Sequence, residues 1–181
     1  MMETYKINVA GIERDLPIVP ISERLSIAAF VIFGDTEVVE PCARALAAKL
    51  PPVDYLITAE AKSIPLIYEM AKIMGMPRYV IARKSVKGYM AHPIVTHVNS
   101  ITTKDEQILC LDEEDVERIR GKRVAIVDDV ISTGASLAAL EKLIAEAGGE
   151  VAARAAILSE GDANDREDLI VLGRIPLFFK D

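Results

Sequence analysis

The apolar positions of this chain switch between two periods, and the order of the switches predicts an α/β architecture. Residues 4–20 alternate loosely and contain Gly11, Pro17 and Pro20, which suits short extended segments better than a helix. Val38, Val39, Cys42, Ala43, Leu46, Ala47 and Leu50 then fall at helical spacing over 37–50, with Asp35 or Thr36 available as N-cap and Pro51-Pro52 as a stop. Residues 54–58 read as a buried strand, 64–75 as a helix ending near Gly75, and 78–82 as another strand. A β-α-β order calls for parallel strands joined by a right-handed crossover. Residues 85–105 carry Gly88, Pro93, Asn99 and many hydroxyls with little periodicity, apart from a candidate strand at 94–98. An excursion this long in a compact domain usually serves function. Further strands are predicted at 107–111, 123–127 and 151–158, helices at 113–120 and 134–148, and short strands at 169–172 and 177–179. No repeat, low-complexity stretch or linker interrupts the series, so residues 1–181 are expected to form one domain with 1–35 as an appendage.

The segment Val124 to Ser136, VAIVDDVISTGAS, is where these elements meet chemistry. Four apolar residues form the strand, Asp128 and Asp129 follow at its carboxyl end, and Val130, Ile131, Ser132, Thr133, Gly134, Ala135 and Ser136 lead into the next helix. In an open α/β sheet, ligands collect beyond the carboxyl ends of the strands, and a helix N-terminus aims unpaired N–H groups at an anion. Ser132, Thr133 and Ser136 add hydroxyl donors, and Gly134 lets the backbone come close. The loop is a candidate phosphate cradle. The two carboxylates cannot serve to attract a phosphate; they suit a neutral group that donates hydrogen bonds, such as vicinal sugar hydroxyls. A ribose 5-phosphate satisfies both halves. An ordinary strand-to-helix turn with solvated acids and a Ser/Thr cap is the alternative. A P-loop is not indicated, because its G-x-x-x-x-G-K-[ST] spacing is missing and no Lys follows Gly134.

Composition narrows the setting. At 51% hydrophobic and 27% charged residues, the 181-residue chain is globular and can bury a sizeable core. A net charge of −7 argues against nucleic-acid or membrane-surface partners and requires a polyanionic ligand to be met by a local basic cluster. Two stretches supply one. Lys62 sits in the strand-to-helix loop from Thr58 to Ser63, and Arg83, Lys84 and Lys87 follow the strand at 78–82; an ordinary capped loop with a solvated Lys is the alternative for the first and a solvated charge run for the second. Cys42 and Cys110 lie far apart in apolar contexts, as core thiols of a reducing compartment do, and two histidines, His92 and His97, offer little for a metal site or triad. The N-terminal residues lack a signal pattern and the longest apolar run, 25–33, is too short to span a membrane, so the expected location is the cytoplasm.

The run VAIVDDVISTGAS resembles the phosphoribosyl-pyrophosphate (PRPP) motif of the type I phosphoribosyltransferases. The resemblance implies their fold: a central, mainly parallel sheet flanked by helices, a small hood from the N- and C-terminal segments, and a flexible lid over 85–105. It assigns Asp128 and Asp129 to the ribose hydroxyls as catalytic carboxylates, and Val130 to Ser136 to the 5′-phosphate. Pyrophosphate falls to Glu60, Ala61, Lys62 and Ser63, with Lys62 where adenine phosphoribosyltransferases usually carry Arg, and to Arg83, Lys84 and Lys87 at the foot of the lid. The order of pieces from Leu16 to Phe179 is similar to adenine phosphoribosyltransferase, which puts Ile18, Val19 and Ile21 in the hood over the base. Simple packing is the alternative for those three. Glu160, just after the strand at 151–158, is placed to reach the base side, or is a surface acid. In the lid, Ser100-Ile101-Thr102-Thr103 stands where adenine enzymes carry a Glu and looks closer to the xanthine phosphoribosyltransferase and purine-repressor branch.

The implied reaction transfers the phosphoribosyl group of PRPP to a purine base, adenine leading, with release of pyrophosphate. The implied cofactor is Mg²⁺, held mainly through PRPP and water with no direct protein ligand. The implied assembly is a homodimer. A PRPP-sensing module without turnover is the alternative from another class; residues 1–35 leave no room for a DNA-binding winged helix. An orotate enzyme or pyrimidine-operon attenuator would share the PRPP site and differ in the base pocket.

Overall fold

The computed structural model describes residues 3–98 and 107–180, so the end of the expected lid, including Ser100 to Thr103, lies outside the described residues. The chain opens with a hairpin, β1 (Thr4–Val9) and β2 (Ile12–Pro20), followed by β3 (Leu25–Ala28) and α1 (Thr36–Ala47). Asp35 caps α1 by accepting from the Val38 N–H at 3.2 Å. Then come β4 (Tyr55–Ala59), α2 (Ile64–Ile73), β5 (Val80–Ala82), β6 (Ile94–Val98), β7 (Gln107–Leu111), α3 (Glu113–Ile119), β8 (Arg123–Ile131), α4 (Ala135–Glu146), β9 (Glu150–Glu160), β10 (Ile170–Ile175) and β11 (Leu177–Phe179). A short 3₁₀ turn over Gly161–Asp165, which the sequence pattern did not predict, separates β9 from β10.

Five strands in the order β10-β9-β8-β4-β5 form a sheet in which every pairing is parallel. The expected architecture is borne out: parallel strands need helical crossovers, those helices cover the faces, and the strands become continuous apolar runs. Two apolar clusters result. One packs α1 and α2 against Leu56, Ala125, Val127 and Ala155, and the other packs α3 and α4 against Ile57, Val124 and Ile126. A separate antiparallel sheet, β1-β2-β3-β11, forms the hood, and β6 and β7 make a two-stranded ribbon. The ribbon is tied to the end of β5 by an antiparallel bridge in which Arg83 and Cys110 exchange backbone hydrogen bonds of 2.9 Å each.

Several boundaries differ from expectation. The motif strand does not stop at Val127, because β8 stays paired with β9 up to Ile131, opposite Ser159, and so carries both acids within it. Likewise β9 runs past Leu158 to Glu160, where Glu160 pairs with Ile175, so Glu160 belongs to the strand itself. Helix α1 ends at Ala47, before its Pro51-Pro52 stop, and β5 begins at Val80 rather than Arg78. Because Leu140 on α4 is completely buried, truncating it (Leu140→Ala) should lower unfolding free energy by about 2–5 kcal/mol in a urea titration without moving the ligand loops.

Candidate active site

Three loops converge at the carboxyl edge of the parallel sheet. The first is the end of β8. Asp129 is 1% exposed and Asp128 half-buried, so two carboxylates share a site with little water around them. Ser63, just before α2, joins them: its Oγ donates to Asp128 Oδ1 at 2.6 Å, and in turn accepts from the Asp129 N–H at 2.8 Å. That N–H also points at Asp128 Oδ1, at 2.9 Å. On the open side, Lys62 Nζ stands 2.9 Å from Asp129 Oδ2. Burial, and then the neighbouring Asp129 charge, push the Asp128 carboxyl well above the usual carboxylate range.

The second loop is the cradle. Val130 to Ser136 curl round a cavity of about 140 Å³, with Asp128 and Leu137 completing its wall. Gly134 is the N-cap of α4 at φ +77° and has no side chain to cap the helix; the Ala135 N–H reaches Thr133 Oγ1 at 3.5 Å, and the helix N-terminus faces the cradle as an anion would require. A β-branched residue is strongly disfavoured at that φ. Arg166 approaches from behind, its Nη1 3.5 Å from where a Cβ on Gly134 would lie, and is held by Asp168 at 2.8 and 2.6 Å.

The third is the loop after β4, where the Glu60–Ala61 peptide is cis. Ala59 to Lys62, with Lys84, Asp128, Asp129, Val130 and Ser136, surround a cavity of about 150 Å³. Glu60 turns back from it and secures the neighbouring strand end: its Oε2 accepts from the Lys84 N–H at 3.0 Å and faces Arg83 Nε at 3.2 Å, which holds its carboxyl below the usual range. The sequence-predicted cations therefore separate. Lys62 and Lys84 line this cavity, whereas Arg83 points the other way, its Nη1 donating to Tyr89 Oη at 2.7 Å, and the Lys87 ammonium rests on Ser85 Oγ at 2.5 Å. Arg83 instead borders a larger cavity of about 380 Å³ behind the loop, together with Tyr79, Tyr89 and Asp115.

A fourth cavity, of about 250 Å³, lies between the loops and the hood, walled by Ile27 to Val31, Lys62, Val130, Ser132 and Glu160. Glu160 is brought to it as expected. Ile18, Val19 and Ile21 are not: Ile18 and Val19 sit one strand back, paired with Ala28 and Ile27, and Ile21 is 54% exposed at the turn beyond β2. The sequence signal for this wall is the apolar run 25–33 ending at Gly34. No group of three or more His, Cys, Asp or Glu side chains among the described residues is arranged to hold a metal.

The model of the phosphoribosyl transferase domain matches residues 43–172. The chain belongs to this family. Among curated relatives, it is 32% identical over 114 residues to the hypoxanthine/guanine phosphoribosyltransferase of Methanococcus voltae, which covers 63% of this chain and 57% of that protein. It is also 32% identical over 127 residues to the adenine phosphoribosyltransferase of Nocardia farcinica, covering 70% of this chain and 64% of that protein. It thus spans less than two thirds of the length of either relative. Among solved structures, adenine phosphoribosyltransferase from Thermoanaerobacter pseudethanolicus superposes with a TM-score of 0.66 at 20% identity, covering 96% of both chains, and so shares the fold of this chain.

The raised Asp128 pKa gives a signed stability test. In the folded state the proton is held more tightly than in the unfolded chain, so this stabilisation is full below the unfolded value and is lost as pH rises through the folded one. Asp128→Asn, which keeps an oxygen to accept from Ser63 and the Asp129 N–H, should melt higher than the unaltered protein at pH 8. The gap should close as pH falls to about 4, near the carboxylate's unperturbed value.

Proposed function

We propose that this chain is a purine phosphoribosyltransferase, working as one domain, that joins a base to the phosphoribosyl group of PRPP and releases pyrophosphate, with adenine the leading base. The observation that carries this reading is how the three smaller cavities share walls. Asp128 borders both the cradle and the Lys62–Lys84 cavity, while Val130 and Ser132 border both the cradle and the hood cavity. A ligand with ribose at the acids would thus reach a phosphate site, a cationic pocket and an apolar slot at once. The family membership supports the same reading.

In this reading a ring nitrogen of the base attacks the anomeric carbon as the bond to the pyrophosphate oxygen breaks, with the electron pair leaving on pyrophosphate. Positive charge grows on the sugar, which the Asp128–Asp129 pair stabilises at a site already shielded from water, while Lys62 and Lys84 meet the leaving group. Lys62 changes partner in doing so, from Asp129 to pyrophosphate. The hard oxygen donors nearest the pocket, Asp128 and Asp129, suit Mg²⁺ held chiefly by PRPP and water. Such an ion would neutralise charge on the leaving group. No helix among the described residues is long and apolar enough to cross a membrane; a cytoplasmic homodimer completes the proposal.

Calorimetry with PRPP and Mg²⁺ should show micromolar-range binding that Asp129→Ala and Gly134→Val each abolish without unfolding the chain; unchanged affinity in both would remove the assignment. A pyrophosphate-release assay over adenine, hypoxanthine, guanine, xanthine, uracil and orotate should give turnover with a purine, and turnover with orotate alone would overturn the base class. Lys84→Ala should weaken PRPP by roughly tenfold while leaving the monophosphate product nearly untouched, as expected for loss of one charge-assisted contact. Equal losses for both ligands would count against Lys84 as a pyrophosphate contact.

A further inference from the structure

The hood cavity holds one group that its apolar walls do not explain. Glu160 is 5% exposed, yet no ion pair joins it to a cation among the described residues; Lys62, whose charge it feels, is held 2.9 Å from Asp129. Desolvation raises its pKa, and the Ser132 side chain, which hydrogen-bonds to it, offsets part of that. A carboxylate offers about four acceptor positions, and leaving them dry and empty is costly. Its place is rigid as well. Glu160 closes β9 in register with Ile175, and the next turn is pinned by Ser159 Oγ donating to Asn164 Oδ1 at 2.6 Å and by Asn164 Nδ2 donating to the Ile175 carbonyl at 3.1 Å. A buried acceptor fixed on a strand, at the wall of a slot lined by Ile27 to Val31 and Val130, is built to receive hydrogen from what enters the slot.

We propose that Glu160 is the specificity-determining residue of the base site, accepting a hydrogen bond from an exocyclic amino group and so selecting a 6-aminopurine over its 6-oxo counterpart. The inference rests on the phosphoribosyltransferase reading above and adds to it the polarity of the base edge. Read from the N7 side, where the ring nitrogen is an acceptor in both bases, the amino group presents hydrogen to the carboxylate. A 6-oxo group presents lone pairs there instead, and its ring N1–H lies on the opposite side of the exocyclic atom, so the carboxylate is left without a donor. Discrimination built on a buried polar contact is steep, because the wrong partner leaves the acceptor unpaired. Lys62 also lines the slot, but its ammonium stands at Asp129 without pyrophosphate and, in the reading above, at pyrophosphate when PRPP is bound, so in both states it is turned to an anion other than Glu160.

Adenosine and inosine monophosphates test this without any need for turnover, since they share the ribose 5-phosphate and differ at the base edge. Calorimetry on the full chain should show the amino nucleotide bound at least about tenfold more tightly than the oxo nucleotide. Glu160→Gln, nearly isosteric, should shrink that ratio, and Glu160→Lys should invert it; thermal melting of each variant reports folding. A ratio that stays the same in the unaltered chain and in folded Glu160→Gln overturns the inference, as does tighter binding of the oxo nucleotide by the unaltered chain. Binding of neither nucleotide and no binding of PRPP would instead fell the phosphoribosyltransferase reading itself. If Glu160 served only to brace Ser132, both nucleotides would weaken by the same factor in Glu160→Gln.

Discussion

Two carboxylates packed side by side at the end of a buried strand repel each other and lose their water, and the Ser63 hydroxyl is what lets them stay. It donates to Asp128 and accepts from the Asp129 backbone, so a single oxygen from the start of α2 settles one acid and orients the peptide of the other. Lys62, its neighbour in sequence, brings positive charge to the remaining oxygen of Asp129. The loop after β4 and the end of β8 are consequently one electrostatic unit, although 65 positions separate Ser63 from Asp128. Removing a charge from this unit relieves the fold, which is the usual relation between a site prepared for a ligand and the stability of its empty state.

Around that unit the parallel sheet acts as a template. Neighbouring strands β4 and β8 end side by side, so their loops must meet, and β5 adds its own end beside them. Glu60 makes the third loop follow the first: by accepting from Lys84 and facing Arg83, it sets where the chain leaves β5. Lys84 is thereby turned toward the pocket and Arg83 away from it. Of the three cations, only Lys84 lines the cavity beside the acids, while Arg83 is tied to Glu60 and Tyr89 and Lys87 to Ser85.

The sequence was most readable where a period was sustained and least readable where a partner from elsewhere decided the outcome. The β6 strand at 94–98 and the helices over the sheet follow directly from side-chain spacing. The extension of β8 through its acids does not, because carboxylates argue against a buried strand until the Ser63 hydroxyl and the ladder to β9 are in view. The cradle was legible as a contiguous motif, with Gly134 at the one position that needs its left-handed backbone. The wall of the hood cavity was not. Ile18 and Val19 have the same apolar character as Ile27 and Ala28, and only the antiparallel pairing between their strands determines which row meets the cavity.

That pairing has a consequence for the order in which the molecule is assembled. The hood is closed by β11, whose Leu177 lies opposite Ile27, so the strand that walls the hood cavity is held by a segment near the far end of the chain. The acids and the cradle, by contrast, follow one another within a single strand and turn. Contacts between distant segments carry the larger loop-closure penalty and form late, and three ladder positions supply few bonds to hold them. The wall of the hood cavity therefore has the weakest backbone hold of the walls around the acids, and it is the first to open under heat or mild denaturant.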